Sequence, residues 1–127
     1  MVLALGDLVT GTLTDTDVID AARAQLNYVL GTNPLRHSYV VGFGADSAQT
    51  VFSSLYSAYG IWTPPAGYMP GGADIYDSPW YSRFPARCYG DTNTDWPPSE
   101  HAIYYNAYLV FTTALVDQTA LIPYPSR

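Results

Sequence analysis

Two stretches of the chain place apolar side chains at the three- and four-residue spacing of an amphipathic helix. The first spans residues 17–30, follows Thr and Asp residues suited to helix capping, and closes at Gly31. The second spans roughly residues 98–117 and begins at a proline pair, which the first turn of a helix tolerates. Because proline cannot continue a helix, Pro123 and Pro125 forbid its extension. We expect two clear helices, each with an apolar stripe that needs a packing partner.

Between these helices, residues 32–98 are dense in Gly, Pro and Tyr and lack a sustained period. The regular candidates are a short extended run at 38–43 and a helical turn or two around 49–59. A loop region of this length is unusual in a compact domain and is more often functional. The pattern predicts two helices joined by a long Gly/Pro/Tyr-rich loop region.

Composition and charge exclude several kinds of ligand and partner for this chain. The chain has 127 residues, 48% of them hydrophobic, which indicates one packed domain rather than a disordered segment. Its net charge of −6 repels nucleic-acid phosphates and anionic membrane surfaces, and no apolar run approaches the ~20 residues of a membrane helix. One cysteine and two histidines are too few for a common zinc site. We therefore expect no nucleic acid, no membrane, no metal site and no cofactor.

Acidic residues cluster ahead of the second helix. Asp91, Asn93 and Asp95 imitate the start of a calcium loop. The sixth position of that loop is Trp96 instead of Gly, and the twelfth is Ala102 instead of a bidentate Glu. A set of Asx turns leading into the helix is the more ordinary interpretation.

Glu100 permits two interpretations. In the first turn of the predicted helix, its carboxylate would complement the helix macrodipole. As a general acid, it would need an apolar, partly dry pocket that favours its protonated form. Tyr89, Trp96, Tyr104 and Tyr105 lie close enough in sequence to wall such a pocket. Position alone leaves both interpretations open.

The spacing around Glu100 resembles the C-terminal active-site signature of glycoside hydrolase family 9, the cellulase E group. The matching positions read Tyr89-x-Asp91-x4-Trp96-x3-Glu100-x-Ala102-x3-Asn106-Ala107. Upstream, residues 25–35 and 38–44 are similar to the helix-to-loop segment of the family, and residues 71–74 are similar to its Gly-Gly-Pro-Asn turn. The resemblance spans roughly residues 20–117.

The resemblance implies an all-α fold, in which residues 1–127 are the C-terminal part of an (α/α)6 barrel. It further implies that this barrel hydrolyses β-1,4-glucosidic bonds in cellulose or related β-glucans with inversion. It assigns Glu100 as the general acid and Asp91 as the other active-site acid of the signature. In an inverting mechanism, a second carboxylate about 6.5 to 9.5 Å from the acid activates water. Tyr89 and Trp96 would bind substrate by stacking on sugar rings. The family also implies a secreted protein, although residues 1–7 do not resemble a signal peptide.

Two features of the family are missing. Residues 45–54 lack the His-x-Arg pair that usually follows the 38–44 segment, and the chain lacks the Asp-Ala-Gly-Asp motif that supplies the catalytic base. Twelve helices and their connections also need on the order of 200 residues. We therefore expect the missing N-terminal portion of the barrel, or self-association, to complete the fold. The alternatives are a non-catalytic glycan-binding or structural fragment, and a truncated piece with no independent role.

Overall fold

The computed structural model describes residues 16–120, and its regular elements are helical. Two long helices, α1 (Thr16–Val29) and α4 (Ile103–Ala120), lie before and after the loop region along the chain. Within that region lie α2 (Ser54–Ala58), a single 3-10 turn (Pro85–Arg87) and α3 (Trp96–Ser99). Residues 16–120 contain two isolated β-bridges but no strand. The predicted all-α fold, with two clear helices and a long connection, is confirmed.

The helices α1 and α4 pack against each other through the predicted apolar stripes. Ile19 and Leu115 are both buried, and Val18, Ala22 and Phe111 pack around them. The bounds of α1 agree with the predicted 17–30 to within one residue at each end. The helix stop expected at Pro123 and Pro125 lies outside the described residues, as does the 1–7 segment.

The predicted start of the second helix is wrong. The chain forms the single turn α3, becomes extended at Glu100 with φ −65° and ψ 134°, and resumes as α4 only at Ile103. In a continuous helix the Ser99 carbonyl would accept a hydrogen bond from the amide of Ile103. Here it accepts from the amide of Phe52 at 2.9 Å, and the extended backbone at Glu100 separates α3 from α4. Glu100 therefore lies outside the first turn of α4, and its interpretation as a partner of that helix dipole is also wrong.

The long loop region has a small core of its own. Val41, Ala48 and Val51 are buried together, with Tyr56 and Tyr68 packed against them. The predicted extended run at 38–43 is wrong, because Ser38 forms a single parallel bridge with Ser47 and the chain then continues through bends and a turn in which Gly42 has a φ of 76°. The loop is therefore held by tertiary contacts rather than by secondary structure.

One helix carries apolar side chains on most of its circumference, although α1 covers only one side of it. On α4, Ile103 is 90% exposed and Val110 is 69% exposed. A helix that is apolar all round is normally buried on every side.

Among residues 16–120, no helix combines the length and apolar character that crossing a membrane requires.

Candidate active site

Asp91 is tied to the loop ahead of α2 by three hydrogen bonds. Its Oδ2 accepts from the amide of Gln49 at 2.7 Å. Its Oδ1 accepts from the amide of Thr50 at 2.9 Å and from the Thr50 hydroxyl at 2.8 Å. Both carboxylate oxygens are thus engaged, although the residue remains exposed.

Glu100 presents an exposed side chain on a constrained backbone. The amide of Phe52 donates to the carbonyl of Ser99, the residue before Glu100, at 2.9 Å. The Phe52 carbonyl lies 3.2 Å from Nδ1 of His101, the residue after Glu100. One residue of the loop therefore holds the chain on both sides of the predicted general acid.

The two predicted sugar platforms differ in exposure. Trp96, at the start of α3, is 55% exposed. Tyr89 is half-buried, with its ring centroid 5.0 Å from Tyr39 and 5.4 Å from His37. Burial, with a smaller contribution from Asp91, raises the pKa of the Tyr89 hydroxyl above its ordinary value. Trp96 is the more accessible of the two faces for a ligand.

His101 belongs to a stack of three rings that no sequence pattern predicts. Its imidazole lies 4.9 Å from the ring of Tyr68 and 5.7 Å from that of Tyr56, with interplanar angles of 16° and 10°. A hydrogen bond with Tyr68 raises the pKa of the Tyr56 hydroxyl. The stack supports the connection that contains Glu100 from the side of the loop core. Neither tyrosine stands near His101 in sequence, so no local signal could have revealed it.

Asn106, the last polar position of the signature, fastens a loop to α4. Its Oδ1 accepts from the amide of Met69 at 2.9 Å, and its Nδ2 donates to the Met69 carbonyl at 3.1 Å. Nδ2 also lies 3.1 Å from the Ala102 carbonyl. Three residues past Met69, the amide of Gly72 donates to the carbonyl of Pro98 in α3 at 2.9 Å. The hydrogen bonds of this signature residue therefore join the loop at Met69 to the start of α4.

The acidic residues ahead of α3 do not converge on one point. Asp91 accepts from residues 49–50, whereas Asp95 accepts from the Ser78 hydroxyl at 3.0 Å. Within the part of the chain that the structure describes, no group of three or more His, Cys, Asp or Glu side chains is placed to hold a metal ion.

The predicted acids lie on an open surface. A cavity of about 440 Å³ lies beside the 71–74 turn and is lined by Tyr28, Tyr39 and Pro85 among others. Its lining includes neither Glu100 nor Asp91, and both of these residues are exposed. Residues 16–120 therefore leave the two carboxylates on an open surface, and these residues alone do not form the partly dry pocket that Glu100 would need as a general acid.

A helical scaffold that presents two carboxylates beside aromatic faces has the parts of a glycoside hydrolase. The chain belongs to glycosyl hydrolase family 9, whose family model matches residues 1–113. Two curated relatives agree with this membership. Endoglucanase 1 of Persea americana is 33% identical over 123 residues, covering 80% of this chain. A cellulose 1,4-beta-cellobiosidase of Acetivibrio thermocellus is 27% identical over 117 residues, covering 84% of this chain.

A solved structure supports the fold. A mutant thermostable endoglucanase from Alicyclobacillus acidocaldarius matches 89% of this chain with a TM-score of 0.69 and 25% sequence identity. Endoglucanases of this family are (α/α)6 barrels, so the expectation that the chain forms part of such a barrel is confirmed. The chain spans 23% of that solved chain, 23% of the Persea relative and 13% of the cellobiosidase.

Proposed function

We propose that this chain supplies the general acid for the hydrolysis of β-1,4-glucosidic bonds in cellulose or related β-glucans, with inversion. The observation that carries the proposal is the setting of Glu100, whose backbone is held on both sides by Phe52 while its carboxylate stays exposed. Family membership and relatives named as endoglucanases and a cellobiosidase support the substrate class.

In the proposed reaction, Glu100 donates its proton to the glycosidic oxygen as the bond from that oxygen to the anomeric carbon breaks. Water attacks the same carbon from the opposite face and gives its proton to a second carboxylate. The Asp-Ala-Gly-Asp motif that supplies this base in the family is missing from the chain. Trp96, four residues before Glu100 and 55% exposed, is the proposed platform for a sugar ring.

The same proposal makes residues 1–127 the C-terminal part of the catalytic domain. The N-terminal portion of the barrel would supply the base and cover the apolar face of α4. The exposure of Ile103 and Val110 supports this arrangement, because large apolar patches mark surfaces that pack against something. Self-association of the chain would cover the same face. The family further favours a secreted location.

The test is Glu100→Gln in the full-length protein that carries this sequence. We expect the release of reducing ends from β-glucan to fall by about 10² to 10⁴-fold, since this is the usual contribution of general acid catalysis. Binding of cello-oligosaccharides should persist. Asp117→Asn is the matched control, since this exposed carboxylate lies fourteen residues into α4, roughly 20 Å along the helix from its start. Full activity in a folded Glu100→Gln variant would show that another group is the acid.

A second candidate function is glycan binding without cleavage. Exposed aromatic faces in the loop region favour it, since Trp80 is 65% exposed and Trp62 is 57% exposed. Calorimetry with cello-oligosaccharides and a reducing-end assay on the full-length protein that carries this sequence separate the two functions. Binding without turnover supports the binding-only function, whereas turnover eliminates it.

A further inference from the structure

The two predicted acids are both attached to one short segment of the loop. Residues 49–52, which we call the strut, run from the contacts of Asp91 at one end to those around Glu100 at the other. A chain advances at most about 3.3 to 3.6 Å per residue, so the ends of the strut lie within about 11 Å of each other. The contacts of Asp91 and those around Glu100 therefore lie within three residues of each other along the chain.

At its first end, the strut is held by polar contacts with Asp91. The carboxylate accepts from two successive amides and from one hydroxyl, all between 2.7 and 2.9 Å. Hydrogen bonds to a charged acceptor are about twice as strong as neutral ones. With both oxygens engaged, Asp91 cannot turn toward a substrate or a water without releasing Gln49 and Thr50.

At its other end, the strut holds the connection between α3 and α4. Phe52 donates to Ser99 and lies within hydrogen-bond distance of His101 through its carbonyl, and it forms a parallel bridge with Glu100. These contacts flank the extended backbone of Glu100, at the point where the helix is interrupted ahead of α4. Phe52 therefore contacts the chain on both sides of Glu100.

The middle of the strut is anchored in the loop core. Val51 is 4% exposed and packs with Val41 and Ala48. Tyr68, which packs against the same core, also stacks on His101. Close-packed interiors have low compressibility, so we expect a displacement at one end of the strut to be passed to the other end.

We infer that Asp91 is a positioning residue: its carboxylate holds the strut, and the strut holds the backbone of Glu100 in the geometry that the general acid requires. The inference deepens the proposed function and rests on it for the role of Glu100. In this inference Asp91 does not transfer a proton itself and affects the reaction only through the strut. A displacement of about 1 Å at a reacting group can cost on the order of 10²-fold in rate, which sets the scale of the effect.

The test uses Asp91→Asn, Thr50→Val and the double variant in the full-length protein that carries this sequence. Asp91→Asn is nearly isosteric and replaces one carboxylate oxygen, which accepts hydrogen bonds, by an amide NH₂, which donates them. Thr50→Val removes only the hydroxyl donor. Thr50→Ser restores that hydroxyl and should behave like the parent. Asp95→Asn is the control, because this nearby carboxylate accepts from Ser78 instead of from the strut. The readouts are kcat across pH and amide hydrogen exchange at Phe52.

We expect Asp91→Asn to lower kcat on the order of 10²-fold while both limbs of the pH profile remain. Thr50→Val should give a smaller loss, and the double variant should be no worse than Asp91→Asn alone, because both act through one strut. Exchange at the Phe52 amide, which Asp91 does not contact, should accelerate about tenfold or more. If Asp91→Asn does not fold, exchange at Phe52 in Thr50→Val decides the question, since that variant loosens the same end of the strut.

Loss of one limb of the pH profile in Asp91→Asn, fully additive losses, or unchanged exchange at Phe52 would each overturn the inference. Each of these results would favour a direct chemical part for Asp91 instead. Failure of the proposed function has a different signature, namely a parent protein that releases no sugar from β-glucan. Exchange at Phe52 still decides in that case whether Asp91 positions the Glu100 backbone, because this readout needs no activity.

Discussion

Replacing Asn106 by Ala tests whether the signature asparagine works as a mechanical clamp. The side chain makes three hydrogen bonds, two to the backbone of Met69 and one to the carbonyl of Ala102. The held loop continues to Gly72, which is itself bonded to the carbonyl of Pro98 in α3. Without the amide group, the Met69 amide and carbonyl lose their protein partner and the loop should detach from α4.

The expected cost follows from these contacts. Two of the hydrogen bonds join Met69 to α4, and at a net value of about 1 kcal/mol each they give the loop contact about 2 kcal/mol. The bond to Ala102 and the better helix propensity of alanine act at the start of α4 and not on the loop contact. Since 1.4 kcal/mol is a factor of ten, hydrogen exchange at the Met69 amide should accelerate about 30-fold.

Native-state hydrogen exchange on the protein that carries this sequence measures the effect at the amide concerned. Thr113→Ala is the matched control, because Thr113 is exposed on the same helix and its replacement brings a similar gain in helix propensity. The Met69 amide should exchange at the parental rate in that control. Equal exchange rates at Met69 in Asn106→Ala and Thr113→Ala would refute the clamp.

Three further predictions concern the packing of the chain. Leu115→Ala removes a side chain that is 3% exposed between α1 and α4, and should cost about 2 to 5 kcal/mol in chemical denaturation. Gly42→Ala should cost more than Gly60→Ala in the same assay. Both glycines have positive φ, but the added Cβ at Gly42 would lie 3.0 Å from the Cβ of Ala66, whereas Gly60 has open space. Burial, aided by a neighbouring tyrosine, raises the pKa of Tyr39 to about 12, so the folded form keeps a proton that the unfolded form loses above pH 10. Stability should therefore fall between pH 10 and 12 by up to about 3 kcal/mol, and Tyr39→Phe should flatten this fall in pH-dependent denaturation.

The features that the sequence predicted are those that depend on local periodicity or on one compact motif. The spacing of Val18, Ile19 and Ala22 identified both the α1 helix and the face that it buries. The signature residues between Tyr89 and Asn106 identified the family that the family model also matches. Both signals are contained within about twenty consecutive residues, so they can be read without knowing the rest of the fold.

The features that the sequence could not predict depend on pairs of residues far apart in the chain. The break at Glu100 coincides with the hydrogen bond from the Phe52 amide to the Ser99 carbonyl, whereas the local pattern from 98 onward is helical. The anchoring of Asp91 on Thr50 joins residues 41 positions apart. No periodicity at either position indicates its partner, so these contacts follow only from the tertiary structure.

The strut lies within a segment that departs from the family pattern. Residues 45–54 lack the His-x-Arg pair expected there, which removes a predicted contact with sugar. The same stretch nevertheless contains residues 49–52, whose backbone amides hold Asp91 and whose last residue holds the chain around Glu100. All but one of these contacts with the acids use backbone groups, which tolerate changes in side chain. The segment therefore lacks the side chains that the resemblance associates with sugar, while its backbone groups contact Asp91 and the residues on either side of Glu100.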